Sequence, residues 1–478
     1  MIYFFISLFL LIGGYAVMSR MAAKTFGADD NIATPVIRLA DGVDFVEMPK
    51  WRIFFVQFLN IAGLGPIYGA ISGALFGPVA FVWIVFGALF IGGMHDYFAA
   101  MISLRDDGAT FAQSTGKYLG KTMLIIMRIF TLILLVLLAT VFIKGPAHIL
   151  SLRLENHSLL SSSSFWSTII FGYVMTATLF PIDKITGRIT PILGIAFILM
   201  PIALLVILII QNKVAYLPPF SLTNVHFNPV IRIWPMLFIT IACGAVSGFH
   251  ATQSPLMARC IKKESDGRQI FYGAMIAESS VALIWAAAAM TFTGSIEGFS
   301  SIMEANGSNP AVVVMAISES WLGQIGILLA ILSVVIAPVT SADTALRSAR
   351  FTLAEVFKLP QQHLKFRLIL ATPLFVMTFI MLNIDFDKIW RYFAFFNQLL
   401  ATMTLWTIAC YFKQRYNVIA WWPVIAAIFM TSVVMSYILY APEGLHQSIQ
   451  MSVILGFMIA FMTTLLFLFY PFQKNVVS

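Results

Sequence analysis

The chain is 478 residues long, 60% of them hydrophobic and only 10% charged, with a mean hydropathy of +0.91. Soluble domains run at about 45–50% apolar and about 25% charged residues, so an ordinary globular enzyme is excluded and an all-α polytopic membrane protein is expected. A bilayer core takes about 20 apolar residues per helix, so roughly a dozen helices consume the chain. No length remains for a nucleotide-hydrolysing domain, and any transport must draw on an ion gradient or a separate subunit.

Thirteen apolar segments follow in chain order: 2–18, 51–75, 79–101, 122–143, 165–181, 189–211, 232–252, 269–293, 321–346, 366–383, 389–412, 417–440 and 448–471. The first lacks a basic leader and is followed by Arg20 and Lys24, so it reads as a retained helix rather than a signal peptide. Lys and Arg concentrate in cytoplasmic loops of membrane proteins. With the N-terminus outside and the C-terminus inside, 22 of them fall in inner loops and 6 in outer ones. The net charge of +8 is spread over these loops and forms no basic patch, so no nucleic-acid partner is expected. Cys243, Cys260 and Cys410 are too scattered for a disulfide framework.

Two segments invite a break. The second reads Asn60-Ile-Ala-Gly63-Leu-Gly65-Pro66-Ile-Tyr68, and the seventh reads Cys243-Gly244-Ala-Val-Ser247-Gly248-Phe249-His250. Glycine tolerates irregular backbone, and proline suits the first turn of a new half-helix. Such backbone survives at membrane depth only where it is buried in protein or lines a cavity. The two segments run in opposite directions with starts five spans apart, the layout of a 5+5 inverted repeat of the leucine-transporter type. One membrane domain is therefore expected, with repeats at 51–211 and 232–412, an extra helix at 2–18 and two peripheral helices at 417–471. Amides after Gly65 and Gly248 would face an anionic group, and carbonyls near Ala62 and Cys243 a cation. Close helix packing through small residues is the alternative.

Ionisable groups at depth are costly and usually face the bundle interior. Glu278 stands alone in the eighth span, as a proton carrier or as a carboxyl that locks two helices together. His95 and Asp96 form a proton-sensitive pair or an interfacial anchor facing Arg105; neighbours on a helix diverge by about 100° and need not touch. Asp343 has Arg347 four residues on, the spacing of an ordinary ion pair, and is the second coupling candidate. Thr340 and Ser341, with the backbone of Ala62, are a candidate Na+ site, unless the hydroxyls bond back to their own helix. Asn397 and Gln398 read substrate or bond across helices. Gly116 to Thr122 imitates a phosphate-binding loop but has three residues between its glycines where four are needed. No paired haem ligands are evident, and no catalytic set appears at recognisable spacing.

Thr34-Pro35-Val-Ile-Arg38, Asp41-Gly-Val-Asp-Phe-Val46, Ile61 to Pro66 and above all Phe238 to His250 resemble the carbon starvation protein A (CstA) family. So do Tyr272 to Ser279, Asp343 to Phe351 and Asn397 to Ala401, and the resemblance extends from about residue 33 to 410. It implies an inner-membrane transporter of peptides or, in some members, of pyruvate with protons, linked to nutrient scavenging under starvation. It also implies kinship with the amino acid, polyamine and organocation transporters. The Gly-His-His usual before the first break is here Phe55-Val56-Gln57, which questions proton coupling by the same route. The expected protein is thus a secondary importer of a small carboxylate-bearing nutrient, coupled to H+ or Na+, with no cofactor and an open oligomeric state. Substrate would meet Asn60, Gly63, Gly65, Pro66, Tyr68, Gly244, Ser247, Gly248, Phe249, His250, Asn397 and Gln398. The alternatives are a membrane enzyme or a channel.

Overall fold

In a computed structural model, residues 2–41, 45–153, 159–179, 183–360 and 363–469 are described, and their regular structure is entirely helical. The first span is α1 (Ile2–Phe26). The second is a bent pair, α2 (Lys50–Ala62) and α3 (Gly65–Ala74), whose axes differ by 47°. Then come α4 (Val79–Arg105), a short α5 (Phe111–Leu119), α6 (Lys121–Arg153), α7 (Ser163–Leu179) and α8 (Asp183–Ile210). The seventh segment enters as a π turn, Ile233–Leu237, and a single α turn, Phe238–Thr240; it loses helical form until α9 (His250–Ala258). After it lie α10 (Glu264–Thr291), α11 (Ile296–Ala305), α12 (Pro310–Phe357), α13 (Leu364–Leu382), α14 (Phe386–Tyr416), α15 (Trp421–Tyr440) and α16 (Ile449–Phe469).

Ten of these helices are long and apolar enough to cross a bilayer. The bent pair, the 17-residue α7 and the interrupted seventh segment account for the remaining three expected spans. The expected outer loop at 294–320 is instead helical. Ser295 caps α11 by accepting from the Gly298 amide at 3.1 Å, and Asn309 caps α12 by accepting from Ala311 at 3.0 Å. Phe299, Met303, Val313, Val314 and Ile317 turn inward from this hairpin, which packs over α3, α6 and α10. Gly323, with φ of +57°, separates it from the membrane part of α12.

Burial separates the centre from the rim. In their most apolar stretches α4 and α10 are 83% buried, whereas α1 and α16 are 22% buried and turn the rest to the surroundings. That contrast suits apolar helices whose outer sides meet lipid tails. On the Lys/Arg-rich face the loops are tied by ion pairs: Arg105 with Glu264, Lys117 with Asp106 at 2.6 Å, Lys50 with Asp266 at 2.9 Å and Arg128 with Glu355. The opposite face holds a cavity of about 270 Å³ bordered by Ser72, Phe76, His226, Thr240, Trp390 and Arg391.

Candidate functional site

The first break is a matter of backbone. Gly63 adopts φ of +46°, and a Cβ there would overlap the Phe142 ring, so both conformation and space demand glycine. Pro66 sits at the start of α3, where its missing donor costs no helix bond, and Leu64 O receives the amides of Ile67 at 3.2 Å and Tyr68 at 2.8 Å. The second break is longer than Gly244 to Gly248. Helical form is already lost at Ile241 (φ −94°, ψ 76°), and freed carbonyls take side-chain donors: Trp83 Nε1 bonds Ile241 O at 2.9 Å and Gln398 Nε2 bonds Phe238 O at 2.7 Å.

The two breaks touch. A Cβ at Gly65 would overlap Cys243, one at Gly69 would lie 3.1 Å from Thr240 O, and one at Gly73 would overlap Ile241. Gly244 faces Ala282 of α10 with Pro66 behind it. The α4 helix joins them at its π turn, where Gly92 presses on the Ala245 carbonyl.

Asn397 organises the start of α9. Its Oδ1 accepts from Phe249 N at 2.8 Å and Ser247 Oγ at 3.1 Å, while its backbone carbonyl takes the Gly248 amide at 3.1 Å. The amides expected to be open after Gly248 are therefore spoken for, and both Asn397 and Gln398 bond across helices. Tyr68 lies among Phe386 and Trp390, with ring centroids 6.0 and 5.9 Å away.

Around these breaks four titratable side chains come together, all fully buried. Asp96 Oδ1 is 2.8 Å from His95 Nδ1, and Asp96 Oδ2 is 2.7 Å from His250 Nδ1. His250 Nε2 lies 3.4 Å from Glu278 Oε2. Two expectations change here. His95 and Asp96 do touch, and they sit deep in the bundle rather than facing Arg105, because Arg105 is committed to Glu264. Glu278 is not isolated either, for the partner missing from its own helix arrives from α9. Neither carboxylate of the cluster meets a Lys or Arg among the described residues.

The other candidates lie elsewhere. Asp343 pairs with Arg347 at 3.0 Å within α12. Thr340 and Ser341 donate to the Ala337 carbonyl of their own helix at 2.7 and 3.3 Å. They nevertheless border a cavity of about 40 Å³ whose far wall is Leu59 and Asn60, so Asn60 belongs with them rather than with the breaks. The Cys243 thiol, for which the sequence suggests no role beyond its backbone carbonyl, has its Sγ within 4.8 Å of a His250 ring nitrogen and a Glu278 oxygen, which lie as close to each other. The available signal was the seven-residue spacing of Cys243 and His250, which shares a helix face only if the helix is unbroken.

The family model for the carbon starvation protein CstA matches residues 1–151 and 147–323. The chain belongs to the CstA family. An uncharacterized membrane protein of Haemophilus influenzae is 38% identical over 61% of this chain and 91% of its own length. Peptide transporter CstA of Helicobacter pylori is 30% identical over 57% of this chain and 48% of its own. Pyruvate/proton symporter BtsT of Escherichia coli is 28% identical over 55% and 45%. The match thus spans about half the length of these two named transporters. Among solved structures, Mhp1, a nucleobase-cation-symport-1 family transporter, aligns over 89% of this chain and 92% of its own, with a TM-score of 0.55 and 14% identity. MhsT aligns over 86% and 98%, with a TM-score of 0.51 and 14% identity. At that identity the likeness concerns the fold, which is of the leucine-transporter type with two broken helices.

Proposed function

We propose that the chain is a secondary active importer of a small carboxylate-bearing nutrient, a peptide or a pyruvate-like acid, working by ion-coupled alternating access. The observation that carries this reading is the contact between two interrupted spans beside an acid and imidazole cluster with no basic partner among the described residues. Discontinuous helices that meet at mid-membrane are how inverted-repeat transporters build sites that open to either side. Cargo enters through the cavity bordered by Thr240 and Trp390 and passes to the backbone at Gly63 to Pro66 and Gly244 to Gly248. The coupling cation, H+ or Na+, is held at Glu278 and His250, with the pocket of Asn60, Thr340 and Ser341 as the sodium variant. The ion-paired Lys/Arg-rich face is cytoplasmic and the cavity face is outside, with the N-terminus outside and the C-terminus inside. The bacterial inner membrane is the setting, and scavenging under carbon starvation is the physiological role that family membership suggests.

Uptake by the purified chain in proteoliposomes tests this. Labelled dipeptide and pyruvate would each be offered under an imposed proton or sodium gradient. Accumulation of one of them with one ion is expected. In Glu278→Gln, gradient-driven accumulation should vanish while counterflow persists; unchanged accumulation removes Glu278 from the mechanism. Failure of both cargoes with both ions overturns the reading. Loss of uptake in Thr340→Ala and Ser341→Ala only when sodium drives it would favour the sodium variant.

A further inference from the structure

We infer that Cys243, His250 and Glu278 form a binding site for a divalent transition-metal ion of borderline softness, such as Zn2+, where the two broken spans meet. His250 is the anchor of the set. Its Nδ1 is bound to Asp96 Oδ2 at 2.7 Å, which leaves Nε2 fully buried, with the Glu278 carboxylate 3.4 Å away and the Ile61 backbone near the ring. An imidazole held by a carboxylate on one nitrogen and free on the other is the arrangement of metal-binding histidines, because the carboxylate fixes the tautomer and aims the remaining lone pair.

That lone pair is aimed at Glu278. Both oxygens of Glu278 are buried and make no hydrogen bond, and Oε2 stands at ion-pair distance, 3.4 Å, from His250 Nε2. Two lone-pair atoms facing each other in a dry interior repel unless a proton or a metal cation lies between them. Their spacing matches the separation of about 3.3 to 3.4 Å between two ligands on a tetrahedral ion with bonds of about 2.0 to 2.1 Å.

Cys243 makes the site one for a metal. A third ligand atom, Sγ, lies within 4.8 Å of the other two, beyond the roughly 3.5 Å of a closed tetrahedral site. Its present neighbours are Ser247 Oγ at 3.6 Å and Asn397 Nδ2 at 3.5 Å, weak contacts that a metal bond would replace. Thiolate, imidazole and carboxylate together suit zinc and its neighbours rather than a hard ion such as Mg2+. The thiol gives up its proton to solvent on binding, and three protein ligands leave the fourth position to water. The two positive charges of the ion balance the Cys243 thiolate and the Glu278 carboxylate, while Asp96 keeps its two imidazole partners.

The site shares Glu278 and His250 with the coupling-ion reading, so bound metal should compete with the coupling cation, whereas metal binding itself needs no cargo and is read without a transport assay. Co2+ added to the purified full-length chain is the probe. One equivalent should bind, with a thiolate-to-metal charge-transfer band and the intense visible absorption of a tetrahedral ion, and Zn2+ should displace it. Cys243→Ser should lose the charge-transfer band, and His250→Gln and Glu278→Gln should weaken binding at least tenfold. Cys410→Ser, on α14, should behave as the unaltered chain. Should Cys243→Ser fail to fold, X-ray absorption of the Zn2+-loaded unaltered chain decides: one sulfur at about 2.3 Å is expected. A metal shell without sulfur, a band that survives in Cys243→Ser, or no saturable Co2+ binding overturns the assignment.

Discussion

The two broken spans differ in what they contribute. The first interruption is short, pivots on Gly63 and offers little but backbone, with the Tyr68 ring one turn further on. The second runs from Ile241 to Phe249 and carries Cys243, Ser247 and, at the start of α9, His250; Asn397, Trp83 and Gln398 tie it down. Inverted repeats give the two spans the same place in the fold without giving them the same chemistry. One supplies a hinge that accepts close approach, and the other supplies the side chains. Substitutions at the first should therefore act through shape alone, and at the second through polar partners as well as shape.

Shape should cost most. Gly63→Ala forces a side chain into a positive φ and into the Phe142 ring, and Gly248→Ala drives a methyl into the Asn397 carbonyl and the Ala401 amide. Each should lose about 3 kcal/mol or more, read as a large fall in thermal stability in detergent. A Gly63→Ala chain of unchanged stability would mean that the first break is not a shaped hinge. Next comes the tie on the second break. Asn397→Ala strands the Phe249 amide and the Ser247 hydroxyl and should cost about 1–3 kcal/mol by the same measurement, whereas Asn397→Asp keeps the accepting oxygen and should lose less.

A smaller effect is expected at the cavity beside the second break. Burial pushes the His226 imidazole down to about 4, and its ring lies 5.1 Å from that of Phe76. It is thus neutral in the folded chain at neutral pH. Its contribution is present above the ordinary value of 6.5 and is lost as pH falls from there through about 4, because the unfolded loop takes up the proton first. Amide protection factors in residues 211–232, taken against intrinsic exchange at each pH, should fall over that window, and His226→Phe should flatten the dependence. Smallest is the surface pair of Lys262 and Glu47, 3.0 Å apart with both side chains more than half exposed. Glu47→Gln should change stability by less than about 0.5 kcal/mol.

Much of this was legible in the sequence. Hydropathy marks the spans because lipid demands long apolar runs, and the paired interruptions betray the repeat because glycine and proline at matched places open backbone that survives at depth only where protein or a cavity surrounds it. The helical hairpin at 294–320 was hidden by its brevity and amphipathic pattern, which read as loop. The site was harder. Glu278 looks solitary along its own helix, and its partner His250 lies 28 positions earlier on a segment whose break resets the helical face. The contact of His95 with Asp96 escaped a rule about diverging neighbours, since a short carboxylate can turn to meet an imidazole one residue away. Cys243 was set aside by counting cysteines, although a single thiol can join a mixed ligand set.

The most direct measurement concerns whether the two interruptions meet and move. Gly69→Cys and Thr240→Cys, combined with replacement of Cys260 and Cys410 by serine, place a thiol pair across the contact, where a Cβ on residue 69 lies 3.1 Å from the Thr240 carbonyl. Oxidation should link residues 69 and 240 within one chain, seen by mass spectrometry of the joined peptides, and should arrest uptake until a reductant restores it. Absence of the link, or a linked protein that transports at the full rate, would contradict the meeting of the two broken spans as the moving heart of the transporter.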